Sequence, residues 1–234
     1  MRPDDTTVQR LRRVAEALGP LRDRVVLVGG AATAFMITDA AAPEPRPTDD
    51  IDFVIDAASK RAYYAVEKDL RKRGFANRRE PGDPICRWVY SGIVVDVMTE
   101  DEAVLGFSNQ WYAHAIEHAV ALSLGEDLAI KVISAPSFLA TKLVAFEDRG
   151  NEDFLYSADM QDMVSIIDGR VELIEEIEAS EPDLKEFVGR SFRSYLERTE
   201  FLDSISGHLL PDAASQARAG LVVDRIKRIA GLAL

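Results

Sequence analysis

The stretch R-P-T-D-D-I-D-F-V-I, Arg46 to Ile55, sets Asp49, Asp50 and Asp52 at the entry to an apolar run. Alternate residues of a β-strand share a face, so Asp50 and Asp52 point the same way with Cα atoms roughly 6–7 Å apart. Two carboxylates that close repel unless a cation lies between them. Hard oxygen ligands on one face suit Mg2+, which keeps waters and takes one or two carboxylates together with substrate phosphates. Asp49, on the opposite face, reads as a flank residue that aims outward.

A third acid lies in S-G-I-V-V-D-V-M-T, where Asp96 is the lone charge among valines and isoleucine. An ionised carboxylate in so apolar a strand is costly unless it is paired or metal-bound. Upstream, V-L-V-G-G-A-A runs a short buried strand, Val25 to Val28, into Gly29-Gly30 and a helix of small residues. Glycines there let the backbone approach a polyphosphate, and the unsatisfied N–H groups of a helix start favour anions. G-G-A-A-T-A is neither a dinucleotide fingerprint nor a Walker A loop. In series, Gly-Gly, D-x-D and a lone strand Asp describe a site for displacement at phosphorus. Three such acids on neighbouring strands would hold two metals at the attacking and leaving oxygens.

Outward from this centre, the chain alternates before it turns helical. Asp5 or Thr6 caps a helix through Leu18, and A-A-P-E-P-R-P-T is a loop. Ser59 to Arg73 is a helix, and strands Ile85 to Tyr90 and Ile93 to Met98 flank a short turn at Ser91-Gly92. A second hairpin turns at Gly125-Glu126. Helices follow at Pro136 to Arg149, Ala158 to Ile167, Val171 to Ala179, Asp183 to Leu202 and Pro211 to Ala230. The reading is an α/β domain over residues 1–134 and a helical domain over 135–234.

The 234 residues are 47% hydrophobic, enough for a packed core, and carry a net charge of −12. That acidity argues against a broad nucleic-acid surface, although Arg10, Arg12, Arg13, Arg71, Lys72, Arg73, Arg78 and Arg79 form basic clusters. Their plain reading is solvated helix faces. A single cysteine, Cys86, excludes an internal disulfide and a cysteine-based zinc site, and reads as a small buried hydrophobe. His114 and His118 stand four apart without a third partner in the sequence pattern, so with His208 they read as packed or exposed histidines, and Trp88 and Trp111 read as core or rim. The first residues lack the apolar region of a signal peptide and no run is long enough to cross a membrane, so a cytoplasmic location is expected.

V-L-V-G-G-A-A, R-P-T-D-D-I-D-F and I-V-V-D-V, in that order, resemble the nucleotidyltransferase superfamily that shares the polymerase beta fold. Their spacing and the Arg46/Thr48 prefix resemble its AbiEii/MenT-type branch, the toxins of type IV toxin–antitoxin systems. S-F-L-A-T-K-L-V-A-F-E-D-R is similar to that branch's K-x-x-A motif, and S-A-D-M-Q-D-M-V to its D-x-x-D motif. The resemblance spans about residues 24–170. It implies an α+β fold, with a nucleotidyltransferase-type mixed β-sheet, flanking helices and a C-terminal helical region. It also implies Mg2+-dependent transfer of NMP from NTP to an acceptor hydroxyl, with release of pyrophosphate.

Carried onto this chain, the resemblance makes Asp50, Asp52 and Asp96 the ligands of a two-metal site, with Asp96 also helping to activate the acceptor. Gly29, Gly30, Thr33, Arg46 and Thr48 fall to the nucleotide. Lys142 contacts the triphosphate, and Asp159, with Asp162 beside it, assists catalysis. The residues themselves leave plainer readings open. Lys142 shares a helix face with Phe146 and either snorkels from the core or reaches a phosphate. Asp159 suits a helix N-terminus and Asp162 a solvated face. Arg149, Asn151 and Asp153 either line the cleft or form the turn after their helix. The implied acceptor is RNA, at a tRNA 3′ end, with a cognate antitoxin as partner. The acidic charge favours a rival, a small cationic acceptor of aminoglycoside type. A catalytically inert nucleotide-binding module is the third reading.

Overall fold

The computed structural model describes residues 6–57, 59–125, 127–150 and 152–233, so Asp5, Glu126 and Asn151 lie outside the described residues. The chain divides into two compact units: residues to Ala32 with Pro47–Ser134, and Thr33–Arg46 with the chain from Ala135 onward.

In chain order the first part comprises α1 (Thr6–Leu18), β1 (Val25–Val28), α2 (Gly29–Met36), β2 (Asp50–Ile55), α3 (Lys60–Lys72) and β3 (Ala76–Asn77). It continues with β4 (Arg87–Tyr90), β5 (Ile93–Thr99), α4 (Glu102–Leu105), α5 (Tyr112–Glu117), β6 (Val120–Gly125) and β7 (Leu128–Val132). Among the described residues the strands form one sheet in the order β3-β4-β5-β2-β1-β7-β6. β1 pairs antiparallel with β2 and parallel with β7, and β2 pairs parallel with β5. A strand covered on both faces reads as a continuous apolar run, and V-V-L-V is buried at every position. β4 and β5 form a hairpin whose two turn residues, Ser91 and Gly92, both have positive φ (48° and 80°). That double left-handed turn matches the twist of the flanking strands. The result is the expected α+β architecture, a mixed sheet flanked by helices and followed by a helical region.

The second unit contains α6 (Ala135–Arg149), α7 (Ala158–Gly169), α8 (Leu173–Glu178), α9 (Pro182–Leu196), α10 (Thr199–Ser204), α11 (Ala213–Gln216) and α12 (Ala219–Ala230). α6, α7, α9 and α12 pack together around Phe138, Leu143, Met163, Ile167, Val188, Phe192, Val222 and Ile226, all buried. Beside them Phe146, Phe154, Tyr195 and Phe201 form a ring cluster, with centroids 5.1–5.8 Å apart in the tilted and edge-to-face pairings that rings prefer. Within the same unit, the loop after α2 is tied by Thr38 and Asp39, whose N–H groups donate to Gly169 O.

Two long helices read from the sequence are broken. Asp183 to Leu202 stops at Leu196, and Arg198 turns extended (φ −104°, ψ 120°) before α10. No glycine or proline marks this break. Arg198 stands 4.7 Å over the Phe154 ring and pairs with Glu152, contacts that outweigh local helix propensity. Pro211 to Ala230 is interrupted between α11, which Asp212 caps by accepting from Ser215 N, and α12. Arg218 at that junction donates to Asp168 and Asp39. The strand expected from Ile85 begins at Arg87 and the helix expected from Val171 begins at Leu173. Among the described residues no helix is long and apolar enough to cross a membrane.

Candidate active site

The sheet register builds the site. Val28 on β1 lies opposite Asp52 on β2, Asp52 opposite Asp96 on β5, and Asp96 opposite Arg87 on β4. Residues in register across a sheet share a face. Asp50 lies two positions before Asp52 and so on that face too. Each of Asp50, Asp52 and Asp96 offers a carboxylate oxygen within 4.8 Å of the others. Three hard oxygens converging from two adjacent strands fit Mg2+ or Mn2+ by donor chemistry.

Gly29 is what allows β1 to end against this cluster. Its φ is +65°, and a Cβ added there would stand 1.9 Å from Asp52 Oδ2. Any other residue would therefore be strained in its backbone and would push the Asp52 carboxylate away. Gly30 follows in the first turn of α2. Thr33, further along that helix, is fully buried and its hydroxyl oxygen has no hydrogen-bond partner among the described residues. A buried unsatisfied hydroxyl is uncommon and marks a place where a ligand or water completes the bonding. Thr48 does local work in the structure: its hydroxyl donates to Asp50 Oδ1 at 2.9 Å. Arg10 on α1 donates to the backbone oxygens of Thr48 and Asp49, fixing the entry to β2, and Asp49 is exposed.

The residue that sequence reading missed is Arg87. Its Nε and Nη2 donate to the two Asp96 oxygens at 2.9 and 2.7 Å, a bidentate fork. The same Nη2 lies 3.6 Å from Asp50 Oδ2, and Nη1 lies 3.5 Å from Asp83 Oδ1. The hydrogen bond to Asp96 is the main cause that holds the guanidinium pKa above its ordinary range. A signal for it was present in the sequence. A two-residue turn at Ser91-Gly92 pairs Tyr90 with Ile93, and counting back three places sets Arg87 opposite Asp96. Neighbouring Cys86 is buried, and burial together with the Asp96 charge pushes its thiol pKa up to about 12, which makes it a packed hydrophobe.

A second ionic cluster lies wholly in the helical unit. Lys142 Nζ donates to Asp159 at 2.9 Å and to Asp162 at 2.7 Å. Arg46 forks onto Asp162 at 2.9 and 3.0 Å, and Arg149 onto Asp159 at 2.9 and 3.0 Å. Asp162 is 1% exposed and Lys142 7%, so the solvated face read for Asp162 is replaced by a buried acid with two cationic partners. Burial alone would lower the Lys142 pKa, but the charges of Asp162 and Asp159 outweigh it and the net shift is upward. For Asp159 burial raises the pKa, while Arg149 and Lys142 overcome it and leave the acid below its usual range. Asp153 accepts from Leu155 N and Tyr156 N, the turn reading given for it. Of the histidines, His114 and His118 stack on each other at 4.1 Å, and Trp111 meets His114 edge-on. Trp88 is core and Trp111 is half-buried, as read.

A crystal structure of an antigenic nucleotidyltransferase-like protein from Paracoccidioides brasiliensis superposes with a TM-score of 0.50 at 18% identity, covering 86% of this chain and 92% of that one. JHP933 from Helicobacter pylori gives 0.49 at 9% identity, covering 97% and 94%. The antibiotic-resistance factor ANT(2'')-Ia gives 0.44 at 14% identity, covering 83% and 96%. At such identities the first of these speaks to the fold alone. No curated protein sequence matches the chain. The profile of the family described as "Nucleotidyl transferase AbiEii toxin, Type IV TA system" matches residues 12–164, well over half the chain and across all three strand aspartates. The chain therefore belongs to the AbiEii nucleotidyltransferase family, and its acid triad is that of a nucleotidyltransferase-like catalytic core.

Proposed function

We propose that the protein is a Mg2+-dependent nucleotidyltransferase of the MenT-type toxin branch, moving NMP from NTP to the 3′ hydroxyl of an RNA acceptor, tRNA in particular. The observation that carries this reading is the convergence of Asp50, Asp52 and Asp96, each offering a carboxylate oxygen within 4.8 Å of the others. Divalent ions held there would neutralise the attacking and leaving oxygens of the displacement. In the proposed reaction the acceptor oxygen bonds to the α-phosphorus as the bond to the β-phosphate bridging oxygen breaks, and pyrophosphate leaves. The hydroxyl proton passes to a base, a role assigned to Asp96.

Gly29 and Gly30 are proposed to hold the triphosphate through backbone N–H groups, with Thr33, whose buried hydroxyl lacks a partner among the described residues, beside them. Thr48 supports this by fixing Asp50. Arg46 and Lys142 are proposed to serve the phosphates and Asp159 and Asp162 to assist, on the strength of the family motifs. The domain division proposed is an α/β domain over residues 1–134 and a helical domain over residues 135–234. A cognate antitoxin is the partner that this family membership suggests.

Incubation with each α-labelled NTP and total RNA tests the reading directly. A labelled RNA band, lost in Asp52→Ala, is expected. Labelled product only with an aminoglycoside would replace RNA by a small cationic acceptor. An intact Asp52→Ala activity would sink the assignment of the triad.

A further inference from the structure

Arg87 is seated on two of the three acids, Asp96 and Asp50. We propose that Arg87 is the resident counter-cation of the acid cluster, which an entering divalent ion must partly displace, so that this residue tunes metal affinity as well as aligning Asp96. The inference rests on the reading of the cluster as a metal site.

Three observations carry it. Arg87 engages both oxygens of Asp96 and leans toward Asp50, so it occupies oxygens that an ion would also use. An ion at its usual roughly 2.1 Å from Asp96 Oδ2 stands inside about 5 Å of a permanently charged guanidinium. Finally, Asp83 provides a place to retreat: it lies 3.5 Å from Arg87 Nη1, is itself largely buried, and pairs with Arg78 at 3.0 Å. Arg87 can therefore give up Asp50 without losing every carboxylate. With Arg87 removed, the acids repel one another more strongly and bind a divalent ion more tightly.

Mn2+ binding to the full-length protein, read by calorimetry and by loss of the free-ion spin-resonance signal, tests this without any reference to turnover. Arg87→Met should bind Mn2+ at least roughly tenfold more tightly than wild type, because a like charge within about 5 Å is removed. Arg87→Lys, which keeps the charge and loses the fork, should stay within about threefold of wild type. Unchanged or weaker binding by Arg87→Met would overturn the proposal and reduce Arg87 to an aligner of Asp96. If wild type and Arg87→Met both fail to bind Mn2+, the metal-site reading falls and this proposal falls with it. Should Arg87→Met not fold, the wild-type Arg87 Nε–H resonance, assigned by its absence from Arg87→Lys, decides the matter. It should shift as Mg2+ is added, and a static resonance on a Mg2+-saturated protein would overturn the idea.

Discussion

The two units handle charge in opposite ways. The sheet unit gathers three carboxylates around one guanidinium, whereas the helical unit gathers Arg46, Lys142 and Arg149 around Asp159 and Asp162. Asp50 and Asp52 of the first cluster are half-buried, whereas both acids of the second are buried. The difference separates acids that share one guanidinium, Asp50 and Asp96, from acids that each hold two cationic partners, Asp159 and Asp162. Removing a carboxylate should therefore have opposite consequences in the two places.

The largest effect is expected at Asp162. Asp162→Ala leaves Lys142 and Arg46 facing a buried gap, and breaking a buried pair in this way costs about 3–5 kcal/mol. Urea unfolding should show that loss. Asp50→Asn, by contrast, removes one of three like charges at a side chain 37% exposed, and its stability should stay within about 1 kcal/mol of wild type. Its Mn2+ binding should nevertheless fail. A stable Asp162→Ala, or an Asp50→Asn that unfolds, would break the contrast.

Gly29→Ala comes next. Positive φ at a non-glycine residue costs about 1–3 kcal/mol, and the new methyl group would collide with the Asp52 carboxylate. Metal affinity should drop along with stability. If only stability fell, Asp52 would not be needed where the structure holds it.

Much of this site can be read from local sequence because its parts are local. D-x-D needs only strand alternation, and Asp96 needs only an apolar run with one charge. Arg87 was within reach by counting back from the Ser91-Gly92 turn, yet a cysteine and a tryptophan beside it made I-C-R-W-V-Y look like plain core. Strand order is different in kind. Nothing near V-V-L-V states that β7, some hundred residues on, pairs with it in parallel, since that follows from non-local packing. The buried state of Asp162 was equally hidden, because its partners Arg46 and Lys142 lie 116 and 20 residues away. The break at Arg198 depends on Phe154 and Glu152 for the same reason.

A milder probe is pH, and it should act chiefly on the helical unit. Lys142 is shifted up, so its stabilising pairings persist below its ordinary pKa of 10.5 and are lost only as pH rises above that value. Asp159 is shifted down, so its contribution is present above its ordinary 3.8 and is lost as pH falls below it. His208 is lowered because burial disfavours its charged form, although its ring nitrogen meets Phe154 O at 2.6 Å. The unfolded chain thus takes up a proton first, and stability declines as pH drops below 6.5. Thermal scans should give a plateau between neutral pH and about 9, above which the unfolded chain loses the Cys86 proton that burial retains in the fold, a modest fall beneath 6.5 and a steeper one beneath 4. His208→Gln should remove the modest step and leave the steep one.

The smallest effect is expected at Arg149, the open end of the sealed cluster. Its fork onto Asp159 has good geometry, but its side chain is 70% exposed, so water already screens the pair. Asp159 also keeps Lys142 at 2.9 Å when Arg149 is gone. Arg149→Gln should therefore cost less than about 1 kcal/mol at neutral pH. The acid limb of the stability profile should move toward higher pH, since Asp159 loses the hydrogen bond that does most to depress it. A loss above about 2 kcal/mol would mean that the buried pairings do not close the network by themselves. The two clusters would then differ in the number of cations that each acid holds but not in self-sufficiency.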